Sequence, residues 1–181
     1  MDAKVRLKTR RSVRRFQDMP VSRELISEVV ATAQFAPTWK NTQTARYTYI
    51  DDPALKARIA EEATVNFAKN KDTITSAAGV MVVTSVHGIA GFNEDGSYSS
   101  DKGEHWESFD AGIATQTLSL ALHEAGLGSV IMGLFDSKKV MELANIPEGQ
   151  VVACIMAVGY PAEGEHGKAV RKPLDEVLSF R

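Results

Sequence analysis

With 181 residues, 44% of them apolar and 24% charged, the chain falls in the ordinary globular range, which excludes collagen, coiled coil and disorder as its main architecture. That length supports one domain spanning residues 1–181 with a sizeable core. The single cysteine, Cys154, excludes an internal disulfide, and no apolar run approaches the ~20 residues a membrane helix needs. Met1 to Phe16 lacks the apolar stretch of a secretion signal, so the cytoplasm is the expected compartment and no membrane partner is expected.

The net charge of −2 is unevenly spread. Residues 1–15 carry seven of the 21 basic residues (Lys4, Arg6, Lys8, Arg10, Arg11, Arg14 and Arg15) against Asp2 alone, and the rest of the chain is net acidic. A cationic segment on an acidic protein points to a local anion site and not to a nucleic-acid surface. A solvated basic tail is the alternative.

Along the chain, Ser22 is a helix N-cap, with Leu25, Ile26, Val29, Val30 and Ala33 at helical spacing and an end expected near Pro37. Arg46 to Ile50 alternates like a short strand. Asp52-Pro53 opens a second helix, expected to run to about Ala68, because proline tolerates the first helical position. Ala77 to Val86 is an apolar, valine-rich run of the kind covered on both faces in a sheet. Gly88 to Gly103 is polar and glycine-containing, long enough for a functional or mobile loop. A helix then spans about Trp106 to Ala125, apolar around much of its circumference (Phe109, Ile113, Ala114, Leu118, Leu120, Ala121, Leu122). Either its own domain encloses that helix or a partner chain covers part of it. Ser129 to Met132 is a strand, Asp136 caps a short helix ending before Pro147, and Val151 to Val158 is a further strand. Strict strand-helix alternation is missing over residues 1–76, so the expected class is α+β.

Several chemistries find no support. His87, His105, His123 and His166 are too widely spaced for a zinc motif, and no metal is expected. Cys154 sits between Ala153 and Ile155 in a predicted strand and reads as a core residue. There is no Gly-x-Ser-x-Gly elbow, P-loop or Gly-x-Gly-x-x-Gly fingerprint, and Glu61 with Glu62 reads as a solvated helix face beside Lys56 and Arg58. What remains is Arg10-Arg11-Ser12-Val13-Arg14 and, near the other end, Arg171-Lys172-Pro173. Arg forks, a hydroxyl and an ammonium can share one phosphate, each charge-assisted bond contributing ~1.5 to 3 kcal/mol.

Those two segments form an ordered set with three others: Ala36-Pro37-Thr38-Trp39-Lys40-Asn41-Thr42-Gln43, Asp110-Ala111-Gly112-Ile113-Ala114-Thr115-Gln116, and Gly126-Leu127-Gly128-Ser129-Val130-Ile131-Met132-Gly133, closing with Gly159-Tyr160-Pro161. The set covers nearly the whole chain and resembles the FMN-dependent nitroreductase family. The resemblance implies an α+β homodimer, a mostly antiparallel, mixed sheet flanked by helices, and two FMN sites built from both subunits. By the same resemblance Arg10, Ser12 and Arg14 contact the FMN phosphate, ribityl and pyrimidine edge, with Arg11 in the same cationic run. Arg171 and Lys172 match C-terminal phosphate ligands. Pro37, Thr38, Asn41 and Gln43 match the segment lent by the other subunit, and Met132 and Gly133 match the stretch whose backbone approaches the flavin.

The implied activity is hydride transfer from NADH or NADPH to FMN N5, then to a nitroaromatic, quinone or similar small acceptor. The flavin carries the chemistry, so no catalytic side chain is required, and Arg14 would stabilise the charge of reduced flavin near N1. A flavin-storing module without turnover, a dehalogenating or flavin-consuming family member, and an electrostatic binder of phosphate-rich partners are the alternatives. Thr44-Ala45 stands where the family often has Pro-Trp, and Thr38-Trp39-Lys40 replaces small residues. Phe92, Tyr98 and Trp106 either line a pocket over the ring or are ordinary aromatics.

Overall fold

A computed structural model describes residues 2–164 and 170–181. Side chains capping free backbone amides define the helix starts. Asp2 accepts from the Lys4 amide at 3.1 Å and opens α1 (Ala3–Thr9). Ser22 accepts from Leu25 N (3.2 Å) for α2 (Arg23–Ala33), and Asp52 from Leu55 N (2.7 Å) for α3 (Pro53–Glu62). Asp136 accepts from Lys139 N at 3.0 Å and opens α6 (Ser137–Leu143). Between them lie α4 (Ala68–Ser76) and the long α5 (His105–Glu124), with single 3₁₀ turns at Trp39–Asn41 and Leu174–Glu176.

Four strands, β1 (Ala45–Ile50), β2 (Gly79–Val86), β3 (Gly128–Met132) and β4 (Gln150–Gly159), form one sheet in the order β1-β2-β4-β3. All three strand pairs are antiparallel, and a parallel bridge between Ser12 and Ser129 adds the mixed element. The alternation of β2 shows why its run is apolar throughout. Val80 and Val82 face Ile59, Ile74 and Val140 of α3, α4 and α6, whereas Met81 and Val83 face Ile26 and Val29 of α2 and Leu118 and Leu122 of α5. The fold is α+β, with the sheet between two helical layers.

Two expected boundaries are corrected. α2 ends at Ala33, not near Pro37, and the second helix stops at Glu62, not Ala68. Val65 and Asn66 turn the chain through left-handed backbone (φ 44° and 60°) before α4 begins. The basic N-terminus is no free tail either, since Arg6 pairs with Glu124 and Thr9 Oγ1 lies 3.0 Å from His123 Nε2, seating α1 on the C-terminal end of α5. Residues 88–103 are tied down at their start, where buried Glu107 accepts from Gly88 N at 2.6 Å and contacts His87 Nδ1 at 3.1 Å, and across the middle, where Phe92 bridges Tyr98.

Candidate functional site

After α1 the chain runs as an extended strap alongside β3. Val13 N donates to Ser129 O at 3.0 Å, Ser12 bridges Ser129, and the buried Val13 side chain plugs the space over Gly128. A Cβ on Gly128 would stand 2.7 Å from Val13 Cγ2, so glycine is what allows the strap this close. The strap delivers Arg10 and Arg11 to a cavity of about 100 Å³ shared with Ser119, His123 and Ser129. Burial first, and then the charges of Arg10, Arg6 and Arg11, push the His123 imidazole below its ordinary pKa. The cavity is therefore a place of accumulated positive charge lined by hydroxyls.

The predicted cations divide by role. Arg11 Nη1 donates to the Lys8 and Arg10 carbonyls (2.6 and 2.9 Å), so this guanidinium pins the end of α1. Arg14 Nη1 reaches only Ser12 O, at 3.4 Å. Among the described residues no hydrogen bond or ion pair occupies the Arg10 guanidinium. Arg171 and Lys172 are exposed; Lys172 pairs with Glu176 at 3.1 Å and Arg171 bonds the adjacent Val170 carbonyl. Within one chain no hydrogen bond or ion pair among the described residues joins the two cationic ends.

The 36–43 segment belongs to another part of the surface. Asp110 of α5, with burial pushing its carboxyl pKa up, accepts from Trp39 N at 2.7 Å. Lys40, Asn41 and Gln43 all adopt left-handed backbone (φ 45°, 57° and 51°), an unusual density for residues with side chains. Thr38 Oγ1 accepts from Gln43 N at 3.0 Å and closes the turn, leaving Asn41 exposed, as is Pro37. Thr38, Thr42 and Gln43 line a cavity of about 500 Å³ with Gln34, Ala45 and Arg46, and the Thr42 hydroxyl is buried without a partner. Thr44 points inward, its Oγ1 accepting from Ser85 Oγ at 3.2 Å, so Ala45 alone of that pair borders the cavity.

Asp110 and His123 stand about 20 Å apart along α5, given a rise of 1.5 Å per residue, so the strap and the 36–43 segment of one chain sit at different ends of the helix. Between them the small residues Ala111, Gly112 and Thr115 of α5 border a cavity of about 240 Å³ with Ile131 and Ala153. Ile131 is 46% exposed and Phe109 51% exposed, so the outer face of α5 and β3 is apolar and open. Part of the α5 circumference is thus enclosed by its own chain, and part is not. Met132 is buried, leaving only its main chain for any ligand, and Gly133 follows it where a Cβ would meet nothing within 4 Å. Cys154 is buried beside Thr115 (3.6 Å), and burial pushes its thiol pKa up. Among the described residues no three His, Cys, Asp or Glu side chains group together as metal ligands; His166 lies outside the described residues.

Sequence reasoning missed Ser119, His123, Ser129 and Thr42, whose side chains reach the cavities only through the tertiary fold. The family model for the nitroreductase family matches residues 7–160. The chain belongs to the nitroreductase family. This nitroreductase-family chain is 30% identical over 201 aligned residues to an NADH dehydrogenase of Thermus thermophilus, covering 100% of this chain and 97% of that protein. It is 28% identical to an NADPH-dependent oxidoreductase of Staphylococcus epidermidis, with 89% of this chain spanning 65% of that protein. A nitroreductase family protein of Streptococcus pneumoniae shares the fold with a TM-score of 0.85 at 22% identity, over 99% of this chain and 100% of the other.

No helix among the described residues is long and apolar enough to cross a membrane.

Proposed function

We propose that this chain is an FMN-dependent NAD(P)H oxidoreductase working as a homodimer. The observation carrying the proposal is the strap hydrogen-bonded to β3, which brings an unpaired Arg10 guanidinium to a hydroxyl-lined cavity at one end of the α5–β3 groove. The donor set fits a phosphate monoester: a planar fork at Arg10 and hydroxyls at Ser12, Ser119 and Ser129. The other end of the groove fits a flat apolar ring, because Ile131, Ala153 and Gly112 offer low relief and Gly133 lets the backbone come close. Burying ~200 Å² of such a ring is worth roughly 5 kcal/mol before ordering costs.

FMN, when bound, supplies the two-electron carrier between NADH or NADPH and a small acceptor such as a nitroaromatic or quinone. The chain's residues bind and orient: Arg10, Ser12 and Arg14 hold the phosphate end and the polar edge, and Met132 and Gly133 present main chain. Arg11 fixes the strap rather than the ligand. A second copy, seated on the open face of α5, brings its Pro37, Thr38, Asn41 and Gln43 to this flavin, which explains why one chain carries the two halves about 20 Å apart. Arg171 and Lys172 reach a phosphate in the assembled dimer. The names of the two curated relatives support the reductant class and leave both nicotinamides open.

An absorption spectrum of the purified protein titrated with FMN, before and after anaerobic NADH or NADPH, tests this reading. A retained flavin bleached by either nucleotide is expected. Protein that neither retains FMN nor oxidises NAD(P)H would overturn it.

A further inference from the structure

Trp39 and Trp106, the chain's two tryptophans, meet at the N-terminal end of α5 with ring centroids 4.5 Å apart and planes tilted by 46°. Phe109 extends the cluster, 5.3 Å from Trp106 and edge-on. The two residues are held independently: the Trp39 main chain by the bond from its amide to Asp110, and the Trp106 indole by the bond its ring N–H donates to Ser100 Oγ at 2.7 Å. Both tryptophans remain partly exposed, so indole area that folding could have buried stays at the surface of the chain, beside the open α5 face that Phe109 borders.

Two ammonium groups stand over these rings. Lys40 Nζ lies 5.5 Å from the Trp39 ring centre, and Lys102 Nζ lies 5.2 Å from Trp106 and 5.8 Å from Phe109. Lys71, Lys139 and Lys172 pair with carboxylates, whereas Lys40 and Lys102, among the described residues, have no carboxylate partner and have aromatic rings as their neighbours instead. Lys102 lacks one even though Asp101 and Glu104 are close in sequence. Lys40 is additionally held in left-handed backbone within the strained turn that carries Asn41 and Gln43.

We infer that this cluster is a recognition surface for a planar aromatic anion, whose ring stacks on the tryptophans while its carboxylate or equivalent charge meets Lys40 and Lys102. The inference rests on the proposed function for its biological sense: Trp39 and Lys40 are embedded in the segment assigned to the flavin site, so the surface selects acidic aromatic acceptors over neutral ones. Stacking recognises the flat ring, and the paired ammonium groups supply the charge preference.

Because both tryptophans lie in the cluster, tryptophan-selective fluorescence of the flavin-free protein reports on it, and the FMN-loaded titration is read against the quenching by FMN itself. The full-length protein is titrated with 4-nitrobenzoate and with nitrobenzene, in the wild type, in Lys40→Ala/Lys102→Ala and in Trp39→Phe, both before and after adding FMN. Expected is saturable quenching by 4-nitrobenzoate at a Kd up to about fivefold below that for nitrobenzene, the upper end of what an exposed charge pair supplies. The ratio falls to about one in the double lysine variant and persists in Trp39→Phe. Equal affinity for the two probes in the wild type, or a preference untouched by the lysine substitutions, overturns the inference. Loss of FMN binding alongside an intact, lysine-dependent preference would retain this surface and sink the oxidoreductase reading instead.

Discussion

Gly128→Ala tests the placement of the cationic strap most directly. The added methyl would lie 2.7, 2.8 and 2.9 Å from Val13 Cγ2, Cβ and Cγ1, all inside van der Waals contact. Gly128 itself has no positive φ, so the backbone tolerates alanine and the effect is purely one of packing. Val13 cannot yield by rotating a long side chain, because it is β-branched, buried, and hydrogen-bonded through its amide to Ser129 O. The strap must therefore move off β3. Overpacking costs ~1 to 3 kcal/mol, and weakening the Val13–Ser129 bond adds about 1 kcal/mol. For a chain of this length the combined ~2 to 4 kcal/mol lowers Tm by roughly 4 to 16 °C.

The same displacement takes Arg10 and Ser12 out of register with Ser129, so FMN affinity falls about tenfold or more as ~1.4 kcal/mol of binding is lost. Thermal melts with and without FMN, combined with a flavin titration, read both effects. Gly133→Ala is the contrast: its methyl meets nothing within 4 Å, so the free protein keeps its Tm while FMN binding weakens, because the methyl stands between the main chain and the flavin. A Gly128→Ala protein with wild-type Tm and wild-type FMN affinity would refute the strap argument.

Removing the carboxylate in Asp110→Ala leaves the Trp39 amide without its partner, and a loss of ~1.5 to 3 kcal/mol in urea unfolding is expected, together with altered tryptophan emission. His123 gives a pH signature. Its folded-state pKa lies below the ordinary ~6.5 of the unfolded chain, so between those values the unfolded state binds more protons. Stability is then fully present above about pH 6.5 and declines as pH falls towards the folded-state pKa, and His123→Gln flattens that decline in pH-dependent melts. Cys154, buried and with its thiol pKa raised, reacts with iodoacetamide on the timescale of unfolding in the native protein and rapidly in denaturant, measured by mass spectrometry.

The elements read correctly from sequence are those in which one local signal decides the structure. Ser22, Asp52 and Asp136 each accept the backbone bond that their residue type promised, and the valine-rich run of β2 is covered on both faces. α4 escaped notice because its sequence, AKNKDTITS, buries only Thr73 and Ile74, too few apolar positions to mark a helical period. The break before it runs through Val65, a β-branched residue in left-handed backbone, where no turn-forming residue type advertises a reversal. α1 was hidden by its charge: seven of the first 15 residues are basic, and what turns them into a seated helix is Glu124 and His123, more than a hundred residues away.

The candidate site divides along the same line. What could be read from the sequence was position: Arg10 and Ser12 lie on the strap beside β3 and Gly133 follows its end, and the flavin-binding roles proposed for them rest on that placement. The aromatic surface was not legible as a unit, since Trp39 and Trp106 are separated by the whole of β1, α3, α4 and β2 and meet only because Asp110 draws the 36–43 turn onto α5. Trp39 and Lys40, which the family resemblance marks as standing where small residues are usual, both fall in that cluster. Residues that bind the cofactor must satisfy a fixed molecule, whereas those facing the acceptor are free to vary with it. If the proposed recognition surface holds, the adjacent Trp39 and Lys40 in this left-handed turn are therefore the residues through which acceptor preference is most readily altered without loss of FMN.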